Sequence, residues 1–157
     1  MFSFDNLKSM KTLALLLDPD KVVLDRRWLS AIKQSSPNII LVGGSQPFPF
    51  EKLDLMIQSL KAEVDIPIVG FPGDITQIHY DFDALLALSV IQSTDTQFVL
   101  DPLIEVAKNL IENNISAFFT PYLLLNGSGT TSVERVLKDK MKKISSLDKS
   151  KIILKRI

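Results

Sequence analysis

Cysteine is absent from the 157-residue sequence. Its absence excludes disulfide bonds and thiolate metal sites and fits a reducing compartment. Long apolar runs are absent too, because no stretch approaches the roughly 18 consecutive apolar residues that a membrane-spanning helix needs. The apolar run at 13–17 is too short for a signal peptide and is followed by Asp18 and Asp20. We therefore expect a cytoplasmic protein without a transmembrane segment.

Net charge is also absent, because 18 Lys and Arg residues balance 18 Asp and Glu residues. Such a chain has no long-range field that would attract nucleic acid or an anionic membrane, so we expect neither as a partner. Any bound phosphate must then be held by local geometry. The hydrophobic fraction of 46% is ordinary for a globular protein. The length predicts a single domain over 1–157.

Several motifs with known chemistry are missing from the sequence. No Gly-x-Gly-x-x-Gly follows the first apolar segment, and neither a Walker phosphate loop nor a Gly-x-Ser-x-Gly nucleophile elbow is present. The single histidine, His79, cannot form a metal site alone. We interpret His79 as a surface residue and not as a catalyst.

Five short, continuously apolar segments are typical of strands buried on both faces of a sheet. They lie at 13–17, 39–42, 66–71, 84–91 and 117–125. The stretches between them have apolar residues at helical spacing. This alternation predicts an α/β fold of parallel strands joined by helical crossovers. It fits either an open doubly wound sheet or a (β/α)₈ barrel, and the pattern alone does not separate the two.

Three apolar stripes predict helices between these segments. They are Leu24, Trp28, Leu29 and Ile32; Leu53, Met56, Ile57 and Leu60; and Leu103, Val106, Leu110 and Ile111, with Asp101 as N-cap. The connection after 66–71 is short and predicts at most one turn of helix. The tail at 138–157 is rich in lysine. Within it, 152–154 is either the start of a sixth strand or part of a frayed terminus.

Polar residues follow the first two segments, where sites of parallel α/β proteins lie. Asp18 and Asp20 offer carboxylates to a hard cation such as Mg²⁺, and Lys21 can reach a phosphate. Gly43 and Gly44 let a ligand approach the backbone closely and expose N–H groups to an anion. Ser45 adds a hydroxyl for a metal or a phosphate. The same residue types also occur in turns without a binding role, so 18–21 could instead form a helix-capping turn and 43–45 a tight turn between a strand and a helix.

The later segments are followed by turn-forming residues. The stretch at 71–74 has the composition of a turn. We interpret 92–95 as the cap of the next helix. The loop at 126–132 is rich in hydroxyl groups and either wraps a phosphate or simply connects two elements.

The order of these pieces resembles one known family. Leu-Leu-Leu-Asp-Pro-Asp-Lys at 15–21, Ile-Leu-Val-Gly-Gly-Ser at 40–45 and Pro-Ile-Val-Gly-Phe-Pro-Gly at 67–73 are similar to segments of the geranylgeranylglyceryl phosphate synthases, the PcrB-like prenyltransferases. Tyr-Leu-Leu-Leu-Asn-Gly at 122–127 resembles the fifth strand of the bacterial members. The resemblance covers about residues 12–135, which correspond to the N-terminal two-thirds of the family.

The resemblance implies a modified TIM barrel, here incomplete, with about five to six strands at 1–137. It implies Mg²⁺-dependent transfer of a prenyl group from a prenyl diphosphate to sn-glycerol 1-phosphate. By position, Asp18 and Ser45 match the family's magnesium ligands. From the same segments we predict Lys21, Gly43, Gly44 and Tyr122 as substrate-binding residues. No catalytic residue is identified.

Two departures from the family pattern bear on activity. Asp95 stands where asparagine is usual and Asp101 where glycine is expected, and an acidic side chain near a diphosphate would repel it. The glycine-rich loops that hold glycerol phosphate in the family have no counterpart in the sequence. An open sheet would also expose strand edges and apolar surface.

Three hypotheses therefore stay open. The first is a prenyltransferase whose missing acceptor site comes from another chain, for example in a homo-oligomer. The second is a truncated, non-catalytic paralogue. The third, independent of family, is a small open-sheet module that binds a phosphate ligand.

Overall fold

The structure is a computed structural model. It describes the first three strand–helix units almost continuously and the later part of the chain in shorter pieces. The described residues are 5, 11–96, 99, 104, 106–107, 110–112, 115–124, 130–138 and 140–141.

Within these residues, five β-strands form one sheet in chain order, and every neighbouring pair is parallel. Their bounds are β1 Ala14–Leu17, β2 Ile39–Val42, β3 Ile68–Gly70, β4 Ala84–Val90 and β5 Ala117–Tyr122. Each strand lies within the apolar segment that predicted it. The predicted α/β fold with parallel strands is therefore confirmed.

Helices occupy the connections between the strands. Their bounds are α1 Arg26–Ser35, α2 Phe50–Glu63 and, after β5, α3 Ser132–Leu137. The third connection holds only a 3₁₀ turn at Ile75–Gln77, as its length predicted. Between β4 and β5 the residues at 104, 106–107 and 110–112 have helical backbone.

Side-chain caps fix where two of the helices begin. The Asp25 carboxylate accepts hydrogen bonds from the backbone N–H groups of Arg27 and Trp28, both at 2.9 Å, at the start of α1. Thr131 and Glu134 form a capping box at the start of α3. Each cap satisfies N–H groups that have no partner inside the helix.

The core lies between α2 and the sheet. The four side chains predicted as the apolar stripe of α2 are all buried: Leu53, Met56, Ile57 and Leu60. They share one cluster with Ile40 of β2 and Leu85 of β4. Burial contributes about 1.5–3 kcal/mol for each side chain of this size. Packing against α2 therefore stabilises the central strands, whose carboxyl ends carry the loops described below.

The other two predicted stripes are only partly buried. In α1, Ile32 is buried, whereas Trp28 is 43% exposed. In the helical residues before β5, Val106 is buried, but Ile111 is 82% exposed. Both patterns are amphipathic, yet each helix buries a narrower face than its apolar spacing suggests. The predicted cap at Asp101 and the stripe residue Leu103 lie outside the described residues.

The two edge strands leave apolar side chains exposed. In and beside β1, Leu13 is 53% and Leu16 51% exposed, and Phe119 of β5 is 59% exposed. By contrast, β2 and β3 are almost entirely buried. The expected exposure of apolar surface by an open sheet is therefore confirmed.

The C-terminal predictions are largely untested by the structure. Of the predicted tail at 138–157, only Lys138, Lys140 and Met141 are described, and the possible sixth strand at 152–154 lies outside the described residues. Within the described part of the chain, no helix is both long enough and apolar enough to cross a membrane.

Candidate functional site

A cavity of about 640 Å³ lies at the carboxyl ends of the strands. Carboxyl ends of parallel strands share one edge of a sheet, so loops that are distant in sequence meet there. All six residues predicted to bind metal or substrate line this cavity: Asp18, Lys21, Gly43, Gly44, Ser45 and Tyr122. The described part of α3 covers one side of it through Val133, Val136 and Leu137.

The loop after β1 presents one carboxylate to the cavity. The Asp18 side chain is 16% exposed, and its Oδ2 accepts a hydrogen bond from Lys21 Nζ at 2.5 Å. Its Oδ1 accepts from the backbone N–H of Asp20 at 3.1 Å, which closes a tight turn. The Lys21 side chain is 67% exposed. Its ammonium group can therefore leave Asp18 for an incoming ligand without loss of packing.

The second carboxylate of this loop lies away from the cavity. Asp20 Oδ1 accepts a hydrogen bond from Lys52 Nζ of α2 at 2.6 Å. That hydrogen bond, together with the charge of Lys52, lowers the pKa of Asp20 below its ordinary value. Of the two carboxylates noted in the sequence, only Asp18 faces the cavity.

Glycine at 43, 44 and 73 lets the loops after β1, β2 and β3 touch. A Cβ on Gly43 would lie 2.0 Å from the carbonyl oxygen of Phe71, and one on Gly44 would lie 2.7 Å from Asp18 Oδ1. A Cβ on Gly73 would lie 2.3 Å from the Gly44 oxygen. None of the described glycines has a positive φ. Close approach, and not a left-handed conformation, is therefore what requires glycine here.

The N–H groups of the glycine pair donate inside the protein. The Gly43 N–H donates to the carbonyl oxygen of Leu17 at 3.1 Å, and the Gly44 N–H donates to Gln77 Oε1 at 3.0 Å. The expectation that these groups point at an anion is therefore wrong. The two glycines keep the other predicted property, a backbone surface that a ligand can approach closely.

Gln77 does not line the cavity but bonds the loops that form its polar end, a role that we did not predict from the sequence. It lies in the 3₁₀ turn, is fully buried, and its Oε1 also accepts from the Gly73 N–H at 3.1 Å. Its Nε2 donates to the carbonyl oxygen of Gln46 at 2.8 Å. One amide thus joins the loops after β2 and β3. The signals in the sequence were its place shortly after a glycine turn and the resemblance of Gln77 and Ile78 to the segment behind the family's third strand.

The far side of the cavity is apolar. The rings of Phe71 and Tyr122 lie 6.4 Å apart, centroid to centroid, at an angle of 59°. The remaining apolar lining comes mainly from β1, β4 and α3: Leu16, Ala87, Leu88, Val90, Val133, Val136 and Leu137. The cavity therefore combines a polar end at Asp18 with a hydrophobic body.

His79 is buried, which corrects its interpretation as a surface residue. It is 1% exposed, and its ring stacks on those of Phe50 and Tyr80. Its Nδ1 accepts from the Asp81 N–H at 3.1 Å, which leaves Nε2 to donate to Asp54 Oδ1 at 3.1 Å. His79 does not line the cavity. It ties α2 to the segment before β4.

The PcrB family profile matches residues 6–154. The chain belongs to the PcrB family. Curated relatives agree: the geranylgeranylglyceryl phosphate synthase of Flavobacterium johnsoniae is 37% identical over 130 residues, which are 82% of this chain and 53% of that protein. The enzyme of the same name from Caldivirga maquilingensis is 30% identical over 118 residues, 73% of this chain and 44% of that protein.

Solved structures show the same fold as this PcrB family member. The wild-type GGGPS from Thermoplasma volcanium superposes with a TM-score of 0.83 at 22% identity, over 98% of this chain and 63% of that one. The (S)-3-O-geranylgeranylglyceryl phosphate synthase from Thermoplasma acidophilum, in complex with its substrate sn-glycerol-1-phosphate, gives 0.78 at 24% identity, over 90% and 56%. The chain spans about half the length of the curated relatives it matches.

The end of β4, where this chain departs from the PcrB pattern, is held by side-chain bonds. Gln92 exchanges two hydrogen bonds with the backbone of Leu124. Asp95 Oδ2 pairs with Lys140 Nζ at 2.6 Å, and the Ser93 hydroxyl donates to the carbonyl oxygen of Lys140. Lys140 therefore offsets the negative charge of Asp95. The predicted cap role of 92–95 stays a prediction, since the start of the following helix lies outside the described residues.

Proposed function

We propose that this chain binds a prenyl diphosphate with Mg²⁺ and takes part in prenyl transfer to sn-glycerol 1-phosphate, the geranylgeranylglyceryl phosphate synthase reaction. Asp18 and Ser45 would hold the metal, and Lys21, Gly43, Gly44 and Tyr122 would contact substrate. One observation carries the proposal: all six residues line one cavity with a polar end and an apolar body. The names of the curated relatives and the substrate in the Thermoplasma acidophilum complex support the reaction class.

The residues at the polar end fit Mg²⁺. Asp18 and Ser45 offer a carboxylate and a hydroxyl, and oxygen ligands are those that Mg²⁺ prefers. The missing side chain of Gly44 leaves space directly beside Asp18 Oδ1, which a Cβ would fill. Among the described residues there is no cluster of three or more His, Cys, Asp or Glu side chains. This suits Mg²⁺, which usually takes one or two protein ligands and completes its shell with water and substrate phosphate.

The chain's own residues would bind and orient the donor. When bound, Mg²⁺ would neutralise the diphosphate and stabilise it as a leaving group. The Lys21 ammonium group, released from Asp18, would bind a second diphosphate oxygen. Gly43 and Gly44 would let the diphosphate lie against the backbone. The fixed position of the diphosphate would bring the allylic carbon to a constant place for attack by the 3-hydroxyl of the acceptor.

The apolar body of the cavity would hold the prenyl chain. Phe71 and Tyr122 contribute aromatic rings to its lining, and Val133 and Leu137 of α3 contribute aliphatic side chains. Transfer of an isoprenoid from water into such a lining is favourable by about 25 cal/mol for each Å² of apolar surface removed from water. The same lining would exclude water from the reacting carbon.

Product formation tests the proposal. The full chain would be incubated with radiolabelled geranylgeranyl diphosphate, sn-glycerol 1-phosphate and either Mg²⁺ or EDTA. We expect prenylated glycerol phosphate only with Mg²⁺ and only from chains that retain Asp18. Asp18→Asn should abolish the product, whereas Asp20→Asn, a matched change on the same turn but outside the cavity, should keep it. No product from the wild type at any protein concentration would contradict the proposed reaction.

A second candidate is a non-catalytic member that binds the prenyl diphosphate as an oligomer. The exposed apolar side chains of the two edge strands, Leu13, Leu16 and Phe119, favour it. Light scattering with and without Mg²⁺ and prenyl diphosphate would test this candidate. A dimer stabilised by the ligand, without product, would support it, and a monomer under all conditions would exclude it.

A further inference from the structure

The Gln77 amide makes three hydrogen bonds to the loops that form the polar end of the cavity. Its side chain is fully buried in the 3₁₀ turn after β3. Oε1 accepts from the N–H groups of Gly44, at 3.0 Å, and Gly73, at 3.1 Å. Nε2 donates to the carbonyl oxygen of Gln46 at 2.8 Å. Gln77 is not among the residues that line the cavity, so its amide acts on the loops and not on a bound ligand.

The two bonds to the loop after β2 flank a single residue. Gly44 precedes Ser45 and Gln46 follows it, so one planar amide fixes the backbone on both sides of Ser45. The Ser45 side chain itself is half-buried, lines the cavity and makes no hydrogen bond within the described part of the chain. The orientation of the Ser45 side chain therefore depends on the backbone that Gln77 holds in place.

We propose that Gln77 is a positioning residue that sets the Ser45 hydroxyl against the Asp18 carboxylate and so determines the affinity of the site for a divalent cation with diphosphate. The inference rests on the proposed function, because it concerns the same site. The contacts that pack the loops come from glycines 43, 44 and 73. The amide adds orientation, since residues behind a metal ligand that fix its direction commonly change metal affinity by about 10–100-fold.

A thermodynamic cycle between Gln77 and Ser45 tests this role. The variants are Gln77→Met, which keeps the length of the side chain but loses its polar atoms, Ser45→Ala and the double variant. Binding of inorganic pyrophosphate in the presence of Mn²⁺ would be measured by calorimetry, with Mn²⁺ also followed by electron paramagnetic resonance. Gln58→Met is the matched control, because Gln58 is an exposed residue of α2 outside the cavity. Circular dichroism would confirm that each variant is folded.

If Gln77 acts through Ser45, Gln77→Met lowers the affinity by about 10–100-fold. In the Ser45→Ala background the same change then has little further effect, within about twofold. Gln58→Met leaves the affinity unchanged. Additive losses in the double variant, or a Gln77→Met variant that binds like the wild type, would overturn the inference.

The same binding measurements separate a failure of the proposed function from a failure of the role of Gln77. A wild type that binds no pyrophosphate with Mn²⁺ would overturn both the site and the role of Gln77. A wild type that binds, together with an unchanged Gln77→Met, would overturn the role of Gln77 alone. If Gln77→Met does not fold, Gln77→Asn takes its place in the cycle. Asparagine keeps the amide and adds no charge but is one methylene shorter, so it should fold, loosen the hydrogen bonds to the loop after β2 and still weaken binding through Ser45.

Discussion

The ends of β1–β3 and the ends of β4–β5 border the same cavity but are held in different ways. In the first region, backbone touches backbone at Gly43 and Gly73, and buried Gln77 bonds two loops together. In the second region, side chains reach across to neighbouring segments, as in the pair of Asp95 and Lys140. At Gly43 and Gly73 the first region leaves no room for a side chain, whereas the second region is held by contacts between side chains.

This difference bears on the proposed site. Asp18, Gly43 and Ser45, which carry the proposed chemistry, lie in the first region. Asp95, at a position where the resemblance to the family implies asparagine, lies in the second region, where Lys140 offsets its charge. The proposed chemistry therefore rests on the region in which backbone packs against backbone.

The largest expected effect is on stability in the first region. In Gly43→Ala the new Cβ would lie 2.0 Å from the backbone oxygen of Phe71, and neither strand end can move away without disturbing the sheet. We expect a loss of about 3 kcal/mol or more in the free energy of unfolding. Denaturant unfolding followed by circular dichroism measures it.

Gly44→Ala is the matched comparison for this prediction. Its Cβ would meet only the Asp18 side chain, which can turn aside. We expect a smaller stability loss, about 1 kcal/mol, but weaker cation binding. Equal stability of Gly43→Ala and the wild type would show that the loops are not interlocked, and the contrast between the two regions would fail.

The next effect concerns charge at the cavity. Asp18→Asn keeps the shape of the turn and the acceptor for the Asp20 N–H but removes the negative charge. We expect Mn²⁺ affinity, measured with pyrophosphate present, to fall by at least about tenfold, or 1.4 kcal/mol. Asp20→Asn should bind like the wild type, since Asp20 pairs with Lys52. Equal losses in both variants would place the cation between the two carboxylates.

A smaller effect is expected in the second region. Lys140→Met leaves the Asp95 carboxylate, at the end of β4, without the Lys140 counter-charge. We expect a stability loss of up to about 1 kcal/mol and weaker pyrophosphate binding. Adding Asp95→Asn to this variant should restore the binding. Unchanged binding in Lys140→Met would mean that Asp95 lies too far away to affect the ligand.

The smallest effect is a pH dependence from exposed ion pairs. Hydrogen bonds from Lys52 and Lys33 lower the pKa values of Asp20 and Glu63, respectively. Because the folded-state pKa values lie below the unfolded ones, both pairs stabilise the fold above the ordinary carboxyl range and lose this contribution as pH falls below about 4. Salt should weaken the effect.

Lys52→Met isolates the Asp20 part of this dependence. Thermal midpoints measured from pH 7 down to pH 3 should fall slightly less steeply in this variant than in the wild type. Lys61→Met is the comparison variant. In the wild type the Lys61 ammonium group lies 3.9 Å from Asp83 Oδ1, a longer distance than in the pair of Lys52 and Asp20. An identical pH profile for wild type and Lys52→Met would show that the pair contributes nothing measurable.

The strands were predictable because each is a short, continuously apolar segment, and β2 at Ile39–Val42 matches its prediction residue for residue. The gathering of Asp18, Gly43 and Ser45 at one edge followed from parallel pairing. Helix burial was less predictable, as Trp28 shows, because amphipathic spacing gives a direction but not the width of the buried face.

The hydrogen bonds that hold the site together were not predictable from the sequence. A glutamine can be exposed or buried, and only the contact of two loops reveals that Gln77 satisfies their N–H groups. The same contact takes up the Gly44 N–H, whereas the Gly43 N–H donates to the carbonyl oxygen of Leu17 in β1, so neither serves as the expected anion donor. His79 became a core residue because stacking on Phe50 and Tyr80 and a bond to Asp54 satisfy its ring. These outcomes depend on neighbours that are distant in sequence.

The most direct test of the central claim is calorimetric titration of the wild-type chain with geranylgeranyl diphosphate, once with Mg²⁺ and once with EDTA. The cavity at the strand ends should bind the ligand with Mg²⁺ and at least about tenfold more weakly without it. Equal affinity in both conditions, or no binding in either, would contradict a Mg²⁺-dependent diphosphate site built on Asp18 and Ser45.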